Sequence, residues 1–256
     1  MPIPFSTTFG TLPKGEMLRF NSSGGVDGPD TVEPLKSTAK AEAEALFSTV
    51  DRVLSEVYYV PAIRGFDSPE YPLGDDFILD LQAGENAQQA TNFVYAGKDI
   101  EEIVSIWCKN ITGSGVGAEV IPGKKVVVDS DGARGGIPVI CDGFGTNQLV
   151  NVLLTLAITP KRSIVAIEEP EIHLHPKAQE NLCRILLEVA KNENKQLIIT
   201  THSERILWSF VSAVRNRELT RDELALYYFA SKGEEPQRIE QDEYGDIYEW
   251  GRGFFA

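Results

Sequence analysis

The spacing of hydrophobic residues changes along the chain. Residues 1–35 are rich in Gly, Pro and Ser, which predicts a short strand pair followed by a flexible loop. Residues 37–56 repeat apolar side chains at intervals of three and four, which predicts a helix. The apolar and aromatic run at residues 57–60 ends at Pro61 and predicts a buried strand.

Later segments follow a different pattern. Helices are expected near 86–96 and 99–110, followed by a β-rich stretch around a turn at 129–132. From residue 142, strands alternate with helices, which is typical of an α/β fold with a mostly parallel sheet covered by helices. The predicted elements are helix 147–158, strand 163–167, helix 176–191, strand 196–200, a helix to about residue 216 and strand 224–229.

Composition limits the classes of function. The 256 residues, 42% of them hydrophobic, suffice for one large domain or for one domain with an insertion. The net charge of −14 argues against a chain-wide surface for nucleic acid, although a local basic groove stays open. Cys108, Cys141 and Cys183 form no CxxC pair and are expected to be free thiols. Since neither a signal peptide nor a membrane-spanning run is visible, the sequence predicts a cytoplasmic protein without membrane contact.

Two adjacent carboxylates follow a predicted buried strand. Residues 164–167 are apolar, and Glu168 and Glu169 come next. In open parallel sheets, ligands bind at the carboxyl ends of strands. One carboxylate there can hold Mg²⁺, directly or through water, while the other orients or deprotonates a water for attack on a phosphate. Taken alone, the two glutamates favour the simpler interpretation of a strand that ends in solvated acids.

The residues around these glutamates carry a resemblance. The run Glu-Glu-Pro-Glu-Ile-His-Leu-His-Pro at 168–176 resembles the Walker B strand and D-loop of ABC-type ATPases, in the form of the OLD-type, RecF-like and related AAA-annotated branch. The resemblance implies a P-loop NTPase-like fold that uses ATP and Mg²⁺. It implies that Glu168 is associated with Mg²⁺ through water and that Glu169 is the general base. His173 and His175 would lie in the D-loop, which in the family is at the dimer interface.

A histidine follows the next predicted strand. Residues 197–199 are apolar, and Thr200, Thr201, His202 and Ser203 come after them. By its place one helix after the paired glutamates, this segment is similar to the family's switch or H-loop, whose histidine contacts the γ-phosphate. The alternative is a histidine that merely precedes a helix capped by Ser203.

A glycine-rich turn precedes the predicted helix 147–158. Such a turn at a helix start presents N–H groups that suit an anion. By position it resembles the ABC signature loop, which in the family reaches across a dimer to the partner's ATP, although Gly-Thr-Asn-Gln stands where Ser-Gly-Gly-Gln is usual. An ordinary turn with a helix start is the alternative. The residues that this resemblance marks as nucleotide contacts are Gly143, Gly145, Thr146, Asn147 and Gln148.

Two further observations leave alternatives open. The segment 59–65 is similar to one in the same branch, which makes Arg64 an anion or interface contact, or else a solvated loop residue. The chain has three histidines, and all lie in the segments described above. His173, His175 and His202 with a glutamate could therefore bind zinc or manganese in a metal-dependent hydrolase.

The P-loop pattern G-x-x-x-x-G-K-[ST] does not occur in the 256 residues, and neither Gly97-Lys98 nor Gly123-Lys124 fits it. The glycine-rich run at 113–117 contains no lysine and is expected to be a loop. The resemblance therefore covers about residues 55–256. It implies an N-terminal β and helical segment at 1–56 and an ATPase core at 57–256 with a helical insertion about 86–112.

These features predict an ATPase part that needs a partner. A homodimer or a complex with a P-loop-bearing chain is expected, with weak or absent turnover by the isolated chain. A non-catalytic pseudo-ATPase or regulatory subunit is the alternative. Because the family's P-loop strand lies within the sheet, an exposed apolar edge is expected where it is lacking. Family analogy adds a link to nucleic acid or to a defence effector.

Overall fold

The computed structural model describes residues 8–11, 17–20, 26–27, 44–50, 53, 57–73, 86–130, 136–230, 235–242 and 244–247. The chain divides into two compact units, Met1–Val57 and Tyr58–Ala256. The predicted loop of the first unit, the first residues of the predicted helix 37–56 and its residues 51–52 and 54–56 lie outside the described residues.

The first unit holds an antiparallel sheet. Strand β1 (Thr8–Thr11) pairs with β2 (Met17–Phe20), and β2 pairs with β3 (Val26–Asp27). The predicted strand pair is confirmed, with a third short strand added. Helix α1 covers residues 44–50, inside the predicted helical stretch.

The second unit contains the remaining elements, apart from the first residue of β4. In chain order these are β4 (Val57–Val60), β5 (Tyr71–Pro72), α2 (Asn86–Tyr95), α3 (Lys98–Thr112), β6 (Val116–Ile121), β7 (Lys125–Ser130), β8 (Ile137–Pro138), α4 (Phe144–Ile158), β9 (Ile164–Glu168), α5 (Pro176–Asn192), β10 (Gln196–Thr200), α6 (Glu204–Arg215), β11 (Leu226–Tyr228) and β12 (Gln237–Ile239).

The sheet that positions the site has the order β10-β9-β4. Strands β9 and β10 run parallel, with Gln196 opposite Ile164 and Thr200 opposite Glu168. Alternate side chains of β9 enter the core, and Val165 and Ile167 are fully buried there. Helices flank this sheet, so the predicted α/β fold with a parallel sheet and flanking helices is confirmed.

A second sheet is antiparallel, with the order β5-β7-β6 and β8 paired to β7. Strand β6 was not predicted, because the glycines at 113, 115 and 117 suggested a loop. One of them is needed for packing: a Cβ at Gly115 would lie 2.6 Å from Oγ of Ser105 in α3. The same hydroxyl accepts a hydrogen bond from Val116 N at 3.1 Å, which ties the start of β6 to α3. Residues 131–132 of the predicted turn lie outside the described residues.

Among the described helices, α4 is the most deeply buried, and it has apolar residues around its whole circumference, as expected of a central helix. It begins three residues before the predicted start, because Gly143 adopts φ +108° and turns the chain into the helix. It ends at Ile158, with Thr159 as its C-cap and Pro160, which cannot continue a helix, directly after it. The buried Lys195 donates to the carbonyl of Leu156, one of the last carbonyls of α4.

Helices α5 and α6 start close to their predicted positions because both have sequence caps. Pro176 occupies the first turn of α5, and His175 Nδ1 accepts from Lys177 N at 3.3 Å. Ser203 caps α6 by accepting from Ile206 N at 3.3 Å. The strand expected at 224–229 is β11, which pairs antiparallel with β12 in a separate two-stranded sheet.

Among the described helices, none has both the length and the apolar character required to cross a bilayer. The cytoplasmic location stays a prediction.

Candidate functional site

Three chain segments meet at the carboxyl edge of β9 and β10. Glu169 N donates to Thr200 O at 2.9 Å, which extends the pairing of the two strands by one residue. The segment that leaves β4 joins them, because Ala62 N donates to Glu168 Oε2 at 3.1 Å. The paired glutamates therefore lie where a parallel sheet offers its ligand-binding edge.

Glu168, the last residue of β9, is half-buried and is held by the chain after β4. Its side chain alternates with those of Val165 and Ile167 and so lies on the other face of the sheet. Burial, and then the neighbouring Glu168 carboxylate, raise the pKa of Tyr59 in β4.

Glu169 and His202 come together although they belong to different strand ends. Nε2 of His202 lies 3.7 Å from Oε1 of Glu169. The His202 side chain is 89% exposed and that of Glu169 is 34% exposed. Glu169 adopts φ +41°, a conformation that a residue with a Cβ rarely takes and that is found preferentially at functional sites. A carboxylate and an imidazole in this arrangement can accept a proton and donate a hydrogen bond to the same bound group.

Arg64 is half-buried, and its guanidinium is bound within the chain. Among the described residues it donates four hydrogen bonds, all to backbone carbonyls. The acceptors are Gln148 O at 3.2 Å, Pro61 O at 2.8 Å, Glu168 O at 2.7 Å and Glu169 O at 3.0 Å. One side chain therefore connects the segment after β4, the end of β9 and the first turn of α4.

The charge of Arg64 lies in a partly dry environment. Burial lowers its pKa to about 10. Three carboxylates oppose this shift, and in decreasing order they are Glu171, Glu169 and Glu168. The positive charge thus faces the acidic cluster at the end of β9.

Glu171 is a residue that sequence reasoning missed. Its side chain is buried, with the residue 8% exposed. Oε1 accepts from Thr201 Oγ1 at 2.6 Å and from His202 N at 3.0 Å. Oε2 is buried without a hydrogen bond in the part of the chain that the structure describes. The sequence offered no signal for this role beyond the third acid of Glu-Glu-Pro-Glu.

The segment with the first two histidines packs on the start of α4. The rings of His173 and Phe144 are 5.5 Å apart, and His173 adopts φ +61°. A Cβ added to Gly145 would lie 2.8 Å from the His173 carbonyl oxygen, closer than real Cβ atoms come. Gly145 therefore permits the close approach of the two backbones.

The predicted nucleotide-contact residues divide into exposed and buried ones. Gly143 is exposed, whereas Thr146 and Asn147 are buried. The Asn147 amide is bound within the chain: Oδ1 accepts from Phe66 N at 2.8 Å, and Nδ2 donates to Phe66 O at 2.9 Å. Among the described residues, no hydrogen bond joins these side chains to Glu169 or His202. The structure gives Asn147 a structural role, and the nucleotide contacts predicted for Gly143, Gly145, Thr146, Asn147 and Gln148 stay predictions.

A cavity of about 450 Å³ lies between this turn and the histidine segment. Both the predicted signature-like turn and the predicted D-loop border it. Its polar lining residues are Thr112, Asp142, Thr146, His173, His175 and Lys177.

The three histidines do not form a metal site. No group of three or more His, Cys, Asp or Glu side chains within the described ranges, which include all three histidines, is arranged to hold a metal ion. His175 Nδ1 is occupied as the cap of α5, and His202 lies beside Glu169. The described residues therefore do not form the zinc or manganese site that was the alternative for His173, His175 and His202.

The residues present fit a more weakly held ion. Glu168 is half-buried at the carboxyl edge of the sheet, and its Oε2 accepts a hydrogen bond from Ala62 N. A single carboxylate suits Mg²⁺, which keeps several waters and takes further ligands from bound phosphates.

The chain is an α/β protein with paired glutamates at the carboxyl edge of its parallel sheet. A family comparison makes this class more specific. A family model described as "AAA ATPase domain" (AAA_15) matches residues 75–207, more than half of the 256 residues. The chain belongs to this AAA ATPase domain family.

Two curated relatives match shorter stretches. The OLD nuclease of Thermus scotoductus is 49% identical over 43 residues, which cover 17% of this chain and 8% of that protein. Endonuclease GajA of Bacillus cereus is 44% identical over 83 residues, which cover 25% of this chain and 12% of that one. The matched segments thus span about a tenth of the length of these relatives.

Solved structures of SMC proteins are also similar, with TM-scores below 0.5. A structure from work on ATP-driven dimerization and DNA-stimulated activation of SMC ATPases has a TM-score of 0.43 and 11% identity, and covers 59% of this chain and 89% of that one. The SMC head domain from Thermotoga maritima has a TM-score of 0.37 and 14% identity, and covers 80% and 65%.

Proposed function

We propose that this chain supplies the hydrolytic part of an ATP-binding and ATP-hydrolysing site. Glu169 is the general base, His202 contacts the γ-phosphate, and Glu168 is associated with Mg²⁺ through water. The proposal depends chiefly on one observation: Glu169 Oε1 and His202 Nε2 lie 3.7 Å apart at the carboxyl ends of neighbouring parallel strands.

Each role follows from what the side chain can do. The Glu169 carboxylate accepts a proton from a water that it orients toward the phosphate. The exposed His202 ring donates a hydrogen bond to a phosphate oxygen and is free to move with it. Glu168, anchored by Ala62, holds a water of the metal's hydration shell. When bound, Mg²⁺ neutralises charge on the phosphates.

The partner requirement rests on the free edge of β10. Among the described strands, β10 is hydrogen-bonded to β9 alone. Its central residue Ile198 is 50% exposed, whereas Val165 and Ile167 in β9 are fully buried. Strands of parallel sheets are normally covered on both faces and paired on both sides, and an apolar free edge favours the addition of another strand. We place a P-loop-bearing strand of another chain, or of a longer form of this one, beside β10.

The cavity between the signature-like turn and the histidine segment supports a second contact. Phe144 is 72% exposed, and Gly143, His173 and His175 are also exposed. An exposed aromatic ring beside polar groups is common in protein interfaces. A second copy or the P-loop-bearing partner would dock here and bring its ATP to Gly143, Gly145, Thr146 and Gln148.

The assembled ATPase is further proposed to serve a protein that acts on nucleic acid. The two curated relatives are nucleases by name. Because this chain has a net charge of −14, the basic surface for phosphate contacts would come from the partner. Turnover that rises on addition of DNA to the assembly, and not to this chain alone, is the expected result.

The experiment is Mg-ATP hydrolysis by the purified chain, alone and with the product of the gene immediately upstream. We expect turnover only in the mixture and its loss with Glu169→Gln. Sustained turnover by the chain alone would contradict the partner requirement.

A non-catalytic subunit is the second candidate, and the internal use of Asn147 in the signature-like turn favours it. If the mixture shows no ATP binding and no turnover, this candidate is supported over the first.

A further inference from the structure

Two side chains outside the proposed chemistry fix the backbone that carries it. Arg64 binds the carbonyl oxygens of Glu168 and Glu169 with two different nitrogens, at 2.7 and 3.0 Å. Those carbonyls belong to the two peptide groups that flank Glu169 Cα, one before it and one after it. Their orientation sets the φ of +41° at Glu169 and so the direction of its carboxylate. A planar guanidinium with several fixed donors is suited to hold two carbonyls at once.

Glu171 holds the backbone that follows β10, as Arg64 holds the backbone that follows β9. Its Oε1 accepts from the backbone N of His202 and from the hydroxyl of Thr201. These are the two residues that follow β10, so the carboxylate fixes the turn that presents the His202 ring. The ring itself is 89% exposed and gains no rigidity from packing. Its position relative to Glu169 depends on this backbone contact.

The charges of these two side chains explain why both are tolerated. A buried carboxylate with one unbonded oxygen is costly unless a positive charge lies nearby. Among the carboxylates that act on the charge of Arg64, Glu171 has the largest influence. The negative charge of Glu171 therefore favours the charged form of the half-buried Arg64.

We propose that Arg64 and Glu171 are positioning residues that together hold Glu169 and His202 in register, Arg64 through the carbonyls that follow β9 and Glu171 through the amide that follows β10. This inference rests on the proposed function, and it adds two residues to which no role in the reaction had been assigned. Neither side chain is required to touch the nucleotide. Removal of either should lower the rate of the chemical step without weakening ATP binding.

The first measurement is steady-state ATP hydrolysis by the assembly of chain and upstream product. We expect Glu171→Ala and Arg64→Ala each to lower kcat about 10- to 100-fold, the usual cost of losing a residue that orients a reacting group. KM for ATP should stay unchanged. Glu171→Gln keeps an oxygen that accepts from His202 N and should restore most of the rate. The matched controls are Glu180→Ala and Arg205→Ala, which break an exposed ion pair of 3.0 Å and should have no effect.

The second measurement does not depend on activity. The chain has three histidines, so their ring signals can be resolved by NMR in the isolated protein and assigned by single substitutions. In the wild type, Glu169→Gln should shift the His202 signal, because the two side chains are 3.7 Å apart. In the Glu171→Ala background the same substitution should leave that signal unchanged. The His175 signal reports the cap of α5 and serves as the folding control.

The outcomes separate this inference from the proposed function. If kcat and the His202 response persist in Glu171→Ala and Arg64→Ala, the positioning role is overturned while the ATPase stands. If the wild-type assembly never turns over but the response is lost in both variants, the ATPase proposal fails and the positioning role is supported. A higher KM with unchanged kcat would show a binding role and overturn the inference.

Variants that do not fold are replaced by a milder one. Arg64→Lys keeps the charge beside Glu171 but cannot hold the carbonyls of Glu168 and Glu169 together. We expect it to lower kcat and to weaken the His202 response. A wild-type rate and response in a folded Arg64→Lys protein would overturn the part assigned to Arg64. Glu171→Gln, which keeps the acceptor for His202 N, should retain most of the rate and the response, and the loss of both in a folded Glu171→Gln protein would overturn the part assigned to Glu171.

Discussion

The carboxyl edge of β9 and β10 and the start of α4 use polar side chains in opposite ways. At the edge, the His202 ring and part of the Glu169 carboxylate are open to solvent, and buried neighbours hold their backbone. At the start of α4, the Asn147 amide is buried and bound on both sides by Phe66. The first arrangement leaves groups free to react, whereas the second uses them to build the fold. Substitutions at the edge should change activity, and substitutions at the start of α4 should change stability.

The largest expected effect is that of Glu169→Gln on turnover by the assembled ATPase. Loss of a general base typically costs about 10²- to 10⁴-fold in rate. The free energy of unfolding should hardly change, since the side chain is partly exposed and its backbone contacts remain. Rate and urea unfolding measured on the same preparation check both statements. A large loss of stability would place Glu169 with the residues that build the fold.

Asn147→Ala should have the converse effect and is the next largest. It leaves Phe66 N and Phe66 O buried without partners, at a cost of about 1–3 kcal/mol for each group. The free energy of unfolding of the isolated chain in urea should therefore fall by about 2–6 kcal/mol. The control is Asn181→Ala, which removes a single exposed hydrogen bond to Asn110 O. Equal stability of the two variants would remove the distinction between the regions.

The sequence predicted the reacting groups of the site better than the residues that hold them. The proximity of Glu169 and His202 could be predicted because parallel strands bring their carboxyl ends to one edge, whatever the residues between them. The roles of Arg64 and Glu171 could not, because both depend on contacts with residues that are distant in the sequence, such as Gln148 and His202. A charged residue is more often exposed than buried, so its type alone predicts the wrong environment.

Local signals predicted the helices well where a cap is visible, as at Ser203 and Pro176. They failed where a glycine can serve either a turn or a close contact between two elements. Gly115 suggested a loop, but the structure uses it to bring β6 against α3. A sequence does not show whether a glycine serves a turn or a close contact between two elements.

Gly145→Ala tests whether a glycine is required for close contact at the start of α4. The added Cβ meets the backbone oxygen of His173 at 2.8 Å, which cannot rotate away. We expect a loss of about 1–3 kcal/mol in the free energy of unfolding, as for other overpacked sites. His173→Ala should not relieve it, whereas Gly115→Ala should be relieved by Ser105→Ala, because there the obstacle is a side-chain oxygen. Relief of Gly145→Ala by His173→Ala would show that the obstacle is the ring.

The smallest expected effect is a difference in how readily the cysteine thiols react. Cys141 is exposed just before α4, whereas Cys183 is buried in α5 and its Sγ lies 3.9 Å from Ile206 O in α6. Burial raises the pKa of Cys108 to about 11 and that of Cys183 to about 12, from 9.0. A disulfide reagent near pH 8 should therefore label Cys141 at once and the other two only on unfolding.

The same shifts determine the pH dependence of stability. A thiol with a raised pKa stays protonated in the folded chain while the unfolded chain loses its proton first, so the folded state binds more protons above pH 9. Stability is fully present below pH 9 and falls as the pH rises toward 11 to 12. Unfolding midpoints between pH 8 and 11 measure this decline. Cys183→Ala should flatten part of it, and Cys141→Ala, which replaces an exposed thiol, serves as the control; an equal response of both variants would contradict the burial of Cys183.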